Sequence, residues 1–299
     1  MKKVLFIINP IAGSEKNIQN LEKLIKKNID KNKFELIIEY TKYALHATEI
    51  AKQAVENKIE IVVAVGGDGT VNEISKSLNN TDTSLAIIPK GSGNGLARSL
   101  GISMNTKKAV KLINSFNISE IDTIKINDSA FVNVAGIGFD AHISHLFADF
   151  GKRGFFSYLK LVFKEFFSYK SAEYFVKTEN QELKVNAFLI SLANSSQFGN
   201  EAHIAPLAKV NDGLIDICIL EKFPIWKAFF IGIMLYNKQL HKCKYYKLIK
   251  SDKVEIESKN KIKGHIDGDP IIFDEKINAV LTKNSLKVIV PYTKLRSKR

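Results

Sequence analysis

The run Val62-Val63-Ala64-Val65-Gly66-Gly67-Asp68-Gly69-Thr70-Val71-Asn72-Glu73-Ile74 restricts this chain more than any other stretch. An apolar, β-branched strand breaks into three glycines around one aspartate, and a helical pattern follows. Glycine admits positive φ and brings bare N–H groups close to a ligand, while the start of the helix adds a positive dipole end. Such a turn suits a phosphate. An aspartate inside it would repel that phosphate unless a cation lay between them, so Asp68 suggests Mg²⁺ bound together with a nucleotide. An ordinary strand-to-helix turn also uses glycine, so the stretch needs support from elsewhere.

The surrounding pattern supplies it. Apolar runs at residues 3–8, 34–40, 59–65 and 85–88 alternate with helical spacings such as Ile18, Leu21, Ile25, Ile29 and Ile50, Ala51, Ala54, Val55. Buried strands alternating with helices predict a doubly wound parallel sheet, whose ligands bind at the carboxyl ends of its strands. The last of these strands runs into Pro89-Lys90-Gly91-Ser92-Gly93-Asn94-Gly95-Leu96-Ala97-Arg98, a second glycine-rich turn opening a helix. Ser92 and Asn94 offer short donors toward a ligand there. Neither turn is a Walker A motif, and no protein-kinase signature occurs. Gly136-Ile137-Gly138-Phe139-Asp140-Ala141 fits the loose dinucleotide pattern, but Tyr158 stands where a ribose-binding acid is wanted, so the match reads as chance.

From about residue 120 short β-rich runs take over, at 121–126, 130–135, 183–193, 214–220, 254–257 and 277–282. They predict an antiparallel sandwich. The expected fold is thus α/β plus β: an N-terminal nucleotide-binding domain over residues 1–121 and a C-terminal β-sandwich domain with helical insertions over 122–299. The last residues are free to return to the first domain, and the cleft between domains is the expected active-site location.

Lys and Arg exceed Asp and Glu by 44 to 31, a formal charge of +13. That points to a polyanion such as nucleic acid, an acidic bilayer or phosphorylated ligands, although a lysine-rich composition raises the charge by itself. Cys218 and Cys243 stand at no ligand or redox spacing, which argues for a reducing compartment. The N-terminal apolar run stops at Asn9-Pro10, too early for a signal peptide, and Phe229–Leu235 falls far short of a membrane span.

In the insertion at 154–169, Phe155, Leu159, Val162 and Phe166 follow helical spacing. Phe156, Phe163 and Phe167 widen that stripe, with Lys152, Arg153, Lys160 and Lys164 beside it. This face either covers the sheet or meets a lipid surface. The insertion at 224–240 is similar in kind, and Lys242, Lys244, Lys247 and Lys250 follow it. Two further stretches offer acids. Asn211-Asp212-Gly213 is a turn whose oxygens could hold a hard cation, and Asp267-Gly268-Asp269 sets two carboxylates two residues apart, one able to act as general base.

Asn9-Pro10 with Gly13, the turn at 66–73, Pro89-x-Gly91-Ser92-Gly93-Asn94-x-Leu96-Ala97, Ala205-Pro206 with Asn211-Asp212-Gly213, and Asp267-Gly268-Asp269 together resemble the diacylglycerol kinase catalytic-domain family of bacterial lipid kinases. The resemblance runs from residue 9 to about 290. The first turn is shared with NAD kinases and phosphofructokinases, whereas the second at its spacing is specific. It implies transfer of the γ-phosphate of ATP to a lipid hydroxyl. Carried over by position, Asn9, Thr41, Gly66, Gly67, Asp68, Gly69, Thr70, Val71, Asn72, Gly91, Ser92, Gly93 and Asn94 would contact ATP. Lys209, Asp212 and Leu214 would hold Mg²⁺, the lysine and leucine through backbone carbonyls. Asp269 stands where the family has glutamate as proton acceptor, which leaves Asp269 or Asp267 as the base, with Asp68 a further candidate for base or Mg²⁺ partner. The implied setting is cytoplasmic, with peripheral contact at the membrane where the lipid lies and no nucleic-acid partner. A homodimer is left open. The alternatives are a kinase of a soluble acceptor such as NAD and a nucleotide-binding module without catalysis.

Overall fold

The computed structural model describes residues 1–13, 18–149 and 155–292. Ser14, Lys152, Arg153 and Gly154 therefore lie outside the described residues, as do the side chains of Phe155, Phe156 and Leu159. The chain divides into two units: Met1–Asp122 with the stretch from Lys283 onward, and Thr123–Thr282.

The first unit alternates strands and helices. Its elements are β1 (Lys2–Ile8), α1 (Ile18–Asn28), β2 (Phe34–Tyr40), α2 (His46–Glu56), β3 (Ile61–Gly66), α3 (Asp68–Leu78), β4 (Ser84–Pro89), α4 (Gly95–Ser99) and α5 (Thr106–Ile113). The four strands pair in parallel in the order β2-β1-β3-β4. Every residue of β3 and β4 is buried, as expected for parallel strands covered on both faces, and this is why their sequences are unbroken apolar runs. Leu21 and Ile25 of α1, Ile50, Ala51 and Ala54 of α2, and Ile74 and Leu78 of α3 are among the buried helical positions. The strand order reverses direction of winding between β1 and β3, and such a switch point leaves a crevice at the carboxyl ends of the strands.

β5 (Ile118–Ile126) leads into the second unit, which continues with β6 (Ser129–Phe131), β7 (Val134–Gly138), α6 (Phe139–Asp149), α7 (Phe155–Phe166), β8 (Ala172–Thr178), β9 (Glu182–Ala193) and β10 (Ile215–Glu221). α8 (Ala228–Tyr236) follows, then β11 (Tyr246–Ser251), β12 (Lys253–Glu257), β13 (Ile262–Ile266), β14 (Asp269–Phe273) and β15 (Lys276–Ile289). The ladders among β7 to β14 are antiparallel. Ile124, Phe131, Ile190, Ile217, Ile256, Phe273 and Ile277 belong to one buried cluster that draws on strands throughout the unit, the core of a sandwich-like domain. A second cluster, with Phe139, Ile143, Leu161, Phe188 and Ile231, joins the helices to the strands. The end of β15 pairs Val288 in parallel with Leu85, so this strand ends in the first unit.

The expected strand at 130–135 is in fact two short strands, β6 and β7. The break has a cause: the N–H groups of Val132, Asn133 and Val134 donate to the Asp267 carboxylate instead of continuing one ladder. No helix among the described residues is long and apolar enough to cross a membrane.

Candidate active site

Three loops meet at the carboxyl ends of β1, β3 and β4. The ladder carries on past the strands, since Asn9 N–H donates to Val65 O at 3.0 Å, Thr41 N–H to Ile8 O at 2.9 Å and Lys90 N–H to Gly66 O at 2.8 Å. Asn9 Nδ2 donates to Thr70 Oγ1 at 3.3 Å, bridging the switch point between β1 and β3. A side chain on Gly91 would meet the Cα of Gly67 at 2.6 Å, and one on Gly67 would meet the Cα of Gly91 at 3.2 Å. The two turns therefore touch backbone to backbone, and glycine at both positions is what lets them.

Asp68 fastens that contact. One of its carboxylate oxygens accepts from Asn94 N–H at 2.8 Å and the other from Gly95 N–H at 2.7 Å, at the start of α4. A carboxylate at a helix N-terminus is stabilised by the exposed donors and the dipole end. The acid that the sequence marks as awkward is thus a clamp between both turns. Asn94, in left-handed conformation with φ 53°, spends its amide inside the second turn: Oδ1 accepts from Gly91 N–H at 3.0 Å and Nδ2 donates to Gly91 O at 2.6 Å. Arg98 Nε braces the same turn by donating to Gly93 O at 3.0 Å. Arg98 and Glu73, whose Oε2 accepts from Ala47 N–H at 3.2 Å at the start of α2, are supports that sequence reading did not assign.

Of the proposed ATP contacts, Gly67, Asp68, Gly69, Gly91 and Gly93 are partly accessible and Ser92 is exposed. Asn9 and Thr41 are partly accessible too, on the neighbouring loops. Gly66, Thr70, Val71, Asn72 and Asn94 are buried, so any part they take in binding falls to the backbone or to shaping the turn. Backbone donors around two helix starts, with small side chains between them, fit a polyphosphate.

In the second unit, Asp267 and Gly268 form the two-residue loop between β13 and β14, with φ of 50° and 94° and Ile266 paired to Asp269. Asp-Gly in such a hairpin is the sequence preference of a type I′ turn. The Asp267 carboxylate is buried and accepts three backbone N–H groups, from Val132 at 3.3 Å, Asn133 at 3.1 Å and Val134 at 2.9 Å. Asp269, the first residue of β14, is exposed. The two acids that looked alike in sequence are therefore placed for different work, one holding the turn and one facing outward.

Behind the turn sits a buried pair. His265 Nε2 lies 3.2 Å from Asp140 Oδ2, the same oxygen accepts from Ser191 Oγ at 3.2 Å, and Asp140 Oδ1 accepts from Ala141 N–H at 2.8 Å. Gly268 N–H approaches His265 Nδ1 at 3.4 Å, which links the pair to the turn. Gly136 makes room for it, because a Cβ there would collide with the Asp140 carboxylate and lie 2.6 Å from His265 Nε2. Gly136 belongs to this packing, and Gly138, with φ 99°, lies against the backbone of Phe188 and Leu189, which agrees with setting the dinucleotide match aside.

Asp212 is held by Lys250, whose Nζ lies 3.1 Å from its Oδ2 and 3.1 Å from Oδ2 of buried Asp216. Asp212 Oδ1 also accepts from Leu214 N–H at 3.2 Å. Burial pushes the Asp216 carboxyl above its usual range against the pull of Lys250. For Lys250, burial acts downward but Asp216 and Asp212 outweigh it, so the ammonium is held more tightly than usual. The loop fits a cation, and here the ammonium supplies the charge; a Mg²⁺ on Asp212 and the carbonyls of Lys209 and Leu214 would have to displace it. Among the described residues no group of three or more His, Cys, Asp and Glu is placed to hold a metal.

A parallel sheet with two glycine turns at the carboxyl ends of its strands is followed by a sandwich-like unit carrying an exposed acid. The family model "Diacylglycerol kinase catalytic domain" matches residues 3–126, and "YegS C-terminal NAD kinase beta sandwich-like domain" matches residues 133–280. The chain belongs to the diacylglycerol kinase catalytic-domain family of bacterial lipid kinases. It is 27% identical over 280 residues to a diacylglycerol kinase of Bacillus subtilis, covering 90% of each chain. It is 29% identical over 248 residues to "Probable lipid kinase YegS-like" of Chromohalobacter salexigens, covering 81% of this chain and 79% of the other. In fold it is similar to a diacylglycerol kinase from Bacillus anthracis, with TM-score 0.75, 21% identity and 98% of each chain covered. It is also similar, at TM-score 0.55 and 14% identity, to an NAD kinase from Archaeoglobus fulgidus in complex with ATP, covering 98% of this chain and 96% of that one.

Proposed function

We propose that this chain transfers the γ-phosphate of ATP to the hydroxyl of a lipid, diacylglycerol or a related one such as a sphingoid base, ceramide or phosphatidylglycerol. The observation that carries the reading is the Asp68 clamp, which locks two glycine turns together at the switch point of the sheet and presents their backbone donors jointly. In this reading the N–H groups around Gly67–Thr70 and Ser92–Gly93 hold the phosphates, with Gly91 shaping the second turn and Asn9 and Thr41 beside them. Mg²⁺ bound with ATP would supply charge that neutralises the phosphates, with the Asp68 carboxylate beside the first turn or Asp212 of the second unit to hold it. Asp269 accepts the proton of the lipid hydroxyl as its oxygen attacks the γ-phosphorus, the bond to the β–γ bridging oxygen breaks, and ADP leaves. Asp267 positions the turn that carries this base, and the Asp140–His265 pair supports it. Catalysis is by positioning and charge neutralisation.

Two buried free cysteines and a lipid acceptor fit a cytoplasmic protein in peripheral contact with the membrane. The test is incubation with radiolabelled ATP and, separately, a mixed lipid extract, NAD, or buffer alone, followed by mass spectrometry of the labelled product. A phosphorylated lipid is expected. Label on NAD would assign a soluble acceptor, and nucleotide binding without transfer would leave a binding module.

A further inference from the structure

We propose, resting on the lipid-kinase reading, that the segment from Lys222 to Tyr236, with α8 at its centre, is the surface by which this protein docks on an anionic lipid bilayer. The sequence of α8, Ala-Phe-Phe-Ile-Gly-Ile-Met-Leu-Tyr, contains no charged residue and is apolar on every face. A helix of that kind needs cover all round. Among the described residues protein covers one side only: Ile231 is buried, and Met234 and Leu235 pack against the cluster that joins helices to strands. On the rest of the segment Trp226 is 64% exposed, Phe229 72% and Phe230 56%, with Ile225 and Ile233 also exposed. Large aromatic and aliphatic side chains grouped in this way mark an interaction surface.

Charge selects the partner. The 29 residues from Lys222 to Lys250 include seven lysines and no aspartate or glutamate; Lys247 and Lys250 are paired with Glu221 and with Asp212 and Asp216, which leaves Lys222, Lys227, Lys238, Lys242 and Lys244 to make the segment basic. The ammonium of Lys227 lies 4.2 Å from the Trp226 ring centre and 5.8 Å from that of Phe230, so a cation borders the apolar group itself. Aromatic rings with a basic rim suit the boundary between acyl chains and anionic headgroups, where rings enter and lysines meet phosphates. A second copy of this chain fits worse, because a two-fold contact would set the same lysines against one another. Phe223 lies 6.0 Å from Phe166 of α7, both packed against the same buried cluster, and Phe163 of α7 and Phe167 just after it are exposed with Lys160 and Lys164.

Trp226 is the only tryptophan in the chain, so its emission reports on this surface directly. Titration with phosphatidylcholine vesicles containing about a third phosphatidylglycerol should shift the emission to the blue, and acyl chains carrying bromine should quench it. Raised salt should weaken the effect. The double variant Phe229→Ser/Phe230→Ser should bind these vesicles roughly tenfold or more weakly at an unchanged melting temperature, since both side chains lie outside the core. Unchanged and unquenched emission with vesicles would overturn the proposal. So would a blue shift that follows protein concentration without lipid and accompanies dimers in sedimentation. Docking without phosphorylation of any lipid would instead remove the kinase reading and leave this surface standing.

Discussion

Oδ2 of Asp140 lies 3.2 Å from Nε2 of His265, both nearly out of solvent, and the other ring nitrogen of His265 faces the N–H of Gly268. The pair thereby connects the first turn of α6 to the loop that carries Asp269. Replacing Asp140 by asparagine keeps the shape but removes the charge, and an asparagine set with its NH₂ toward His265 would turn an attraction into a clash of donors. Turnover with lipid should fall roughly ten- to a hundredfold through displacement of the loop, with KM for ATP unchanged. Steady-state kinetics with each substrate varied in turn checks this. Gly136→Ala should cost about 1–3 kcal/mol in urea melts, because its methyl group has no room beside the same pair.

Asp267 and Asp269 should part company under the same substitution. Asp267→Asn leaves three backbone donors facing one oxygen and an NH₂ group, which should lower stability by about 1–3 kcal/mol and slow turnover as a consequence. Asp269→Asn should leave the melting temperature alone and lower kcat by roughly 10²- to 10⁴-fold, as for loss of a general base. Asp269→Glu should keep measurable turnover. Melting temperature and kcat measured on all three variants decide the assignment, and a reversal of the two patterns would exchange the roles.

The sheet of the first unit was legible because buried parallel strands read as unbroken apolar runs, and each glycine turn sits where such a run ends. The second unit was read less completely. β8 alternates buried Tyr174, Val176 and Thr178 with exposed Glu173, Phe175 and Lys177, and β14 is mostly exposed, so each offers an apolar run of only three residues. α6 was missed because its start was read only as a failed dinucleotide motif, although an acid at 140 in apolar surroundings was the available signal of the Asp140–His265 pair. The two acids of the Asp-Gly-Asp motif could not be ranked from sequence, since the donors that occupy Asp267 come from Val132 to Val134, more than 130 residues away.

Lys250 should be the residue on which the 209–216 loop depends. Lys250→Met leaves Asp216 buried without its cation and Asp212 without its partner. Lys250 is a third exposed, so the cost should be below that of a fully buried pair, about 1–3 kcal/mol. Asp216→Asn in the same chain should return part of it. Mg²⁺ should raise the melting temperature of Lys250→Met more than that of the parent, because the divalent ion no longer competes with an ammonium. Equal responses would show that the loop does not use Mg²⁺ in place of Lys250.

High pH should destabilise the fold through buried phenols. Burial pushes the Tyr174 hydroxyl up to about 12, with the charge of Asp140 adding to the effect, and burial raises Tyr246 in the same sense. Below about pH 10 both folded and unfolded chains hold these protons and stability is unaffected. Between about 10 and 12 the unfolded chain releases a proton that the folded chain keeps, so stability falls as pH rises, by on the order of 2 kcal/mol for one such phenol. Urea midpoints across this range should decline, and Tyr174→Phe should make the decline shallower without changing its value near neutrality by the same amount.

Asp68→Asn separates the clamp from the charge. An amide at this position retains one oxygen for either Asn94 or Gly95 N–H, while its NH₂ would face the other donor, so the contact between turns should loosen at a cost of about 1–3 kcal/mol. That is small enough for the protein to remain folded at room temperature. Under the proposed reading, transfer of label from ATP to lipid should nevertheless be lost, because the substitution removes both the fixed spacing of the two glycine turns and the negative charge beside the proposed nucleotide site. Asp68→Glu tests which loss matters: it keeps the charge but places it one methylene further out, against α4. If spacing governs, Asp68→Glu should bind ATP more weakly than the parent and turn over slowly; if charge alone governs, it should approach the parent in both. Isothermal titration with ATP, with and without Mg²⁺, alongside the transfer assay distinguishes the two, and full activity in Asp68→Asn would remove Asp68 from the site altogether.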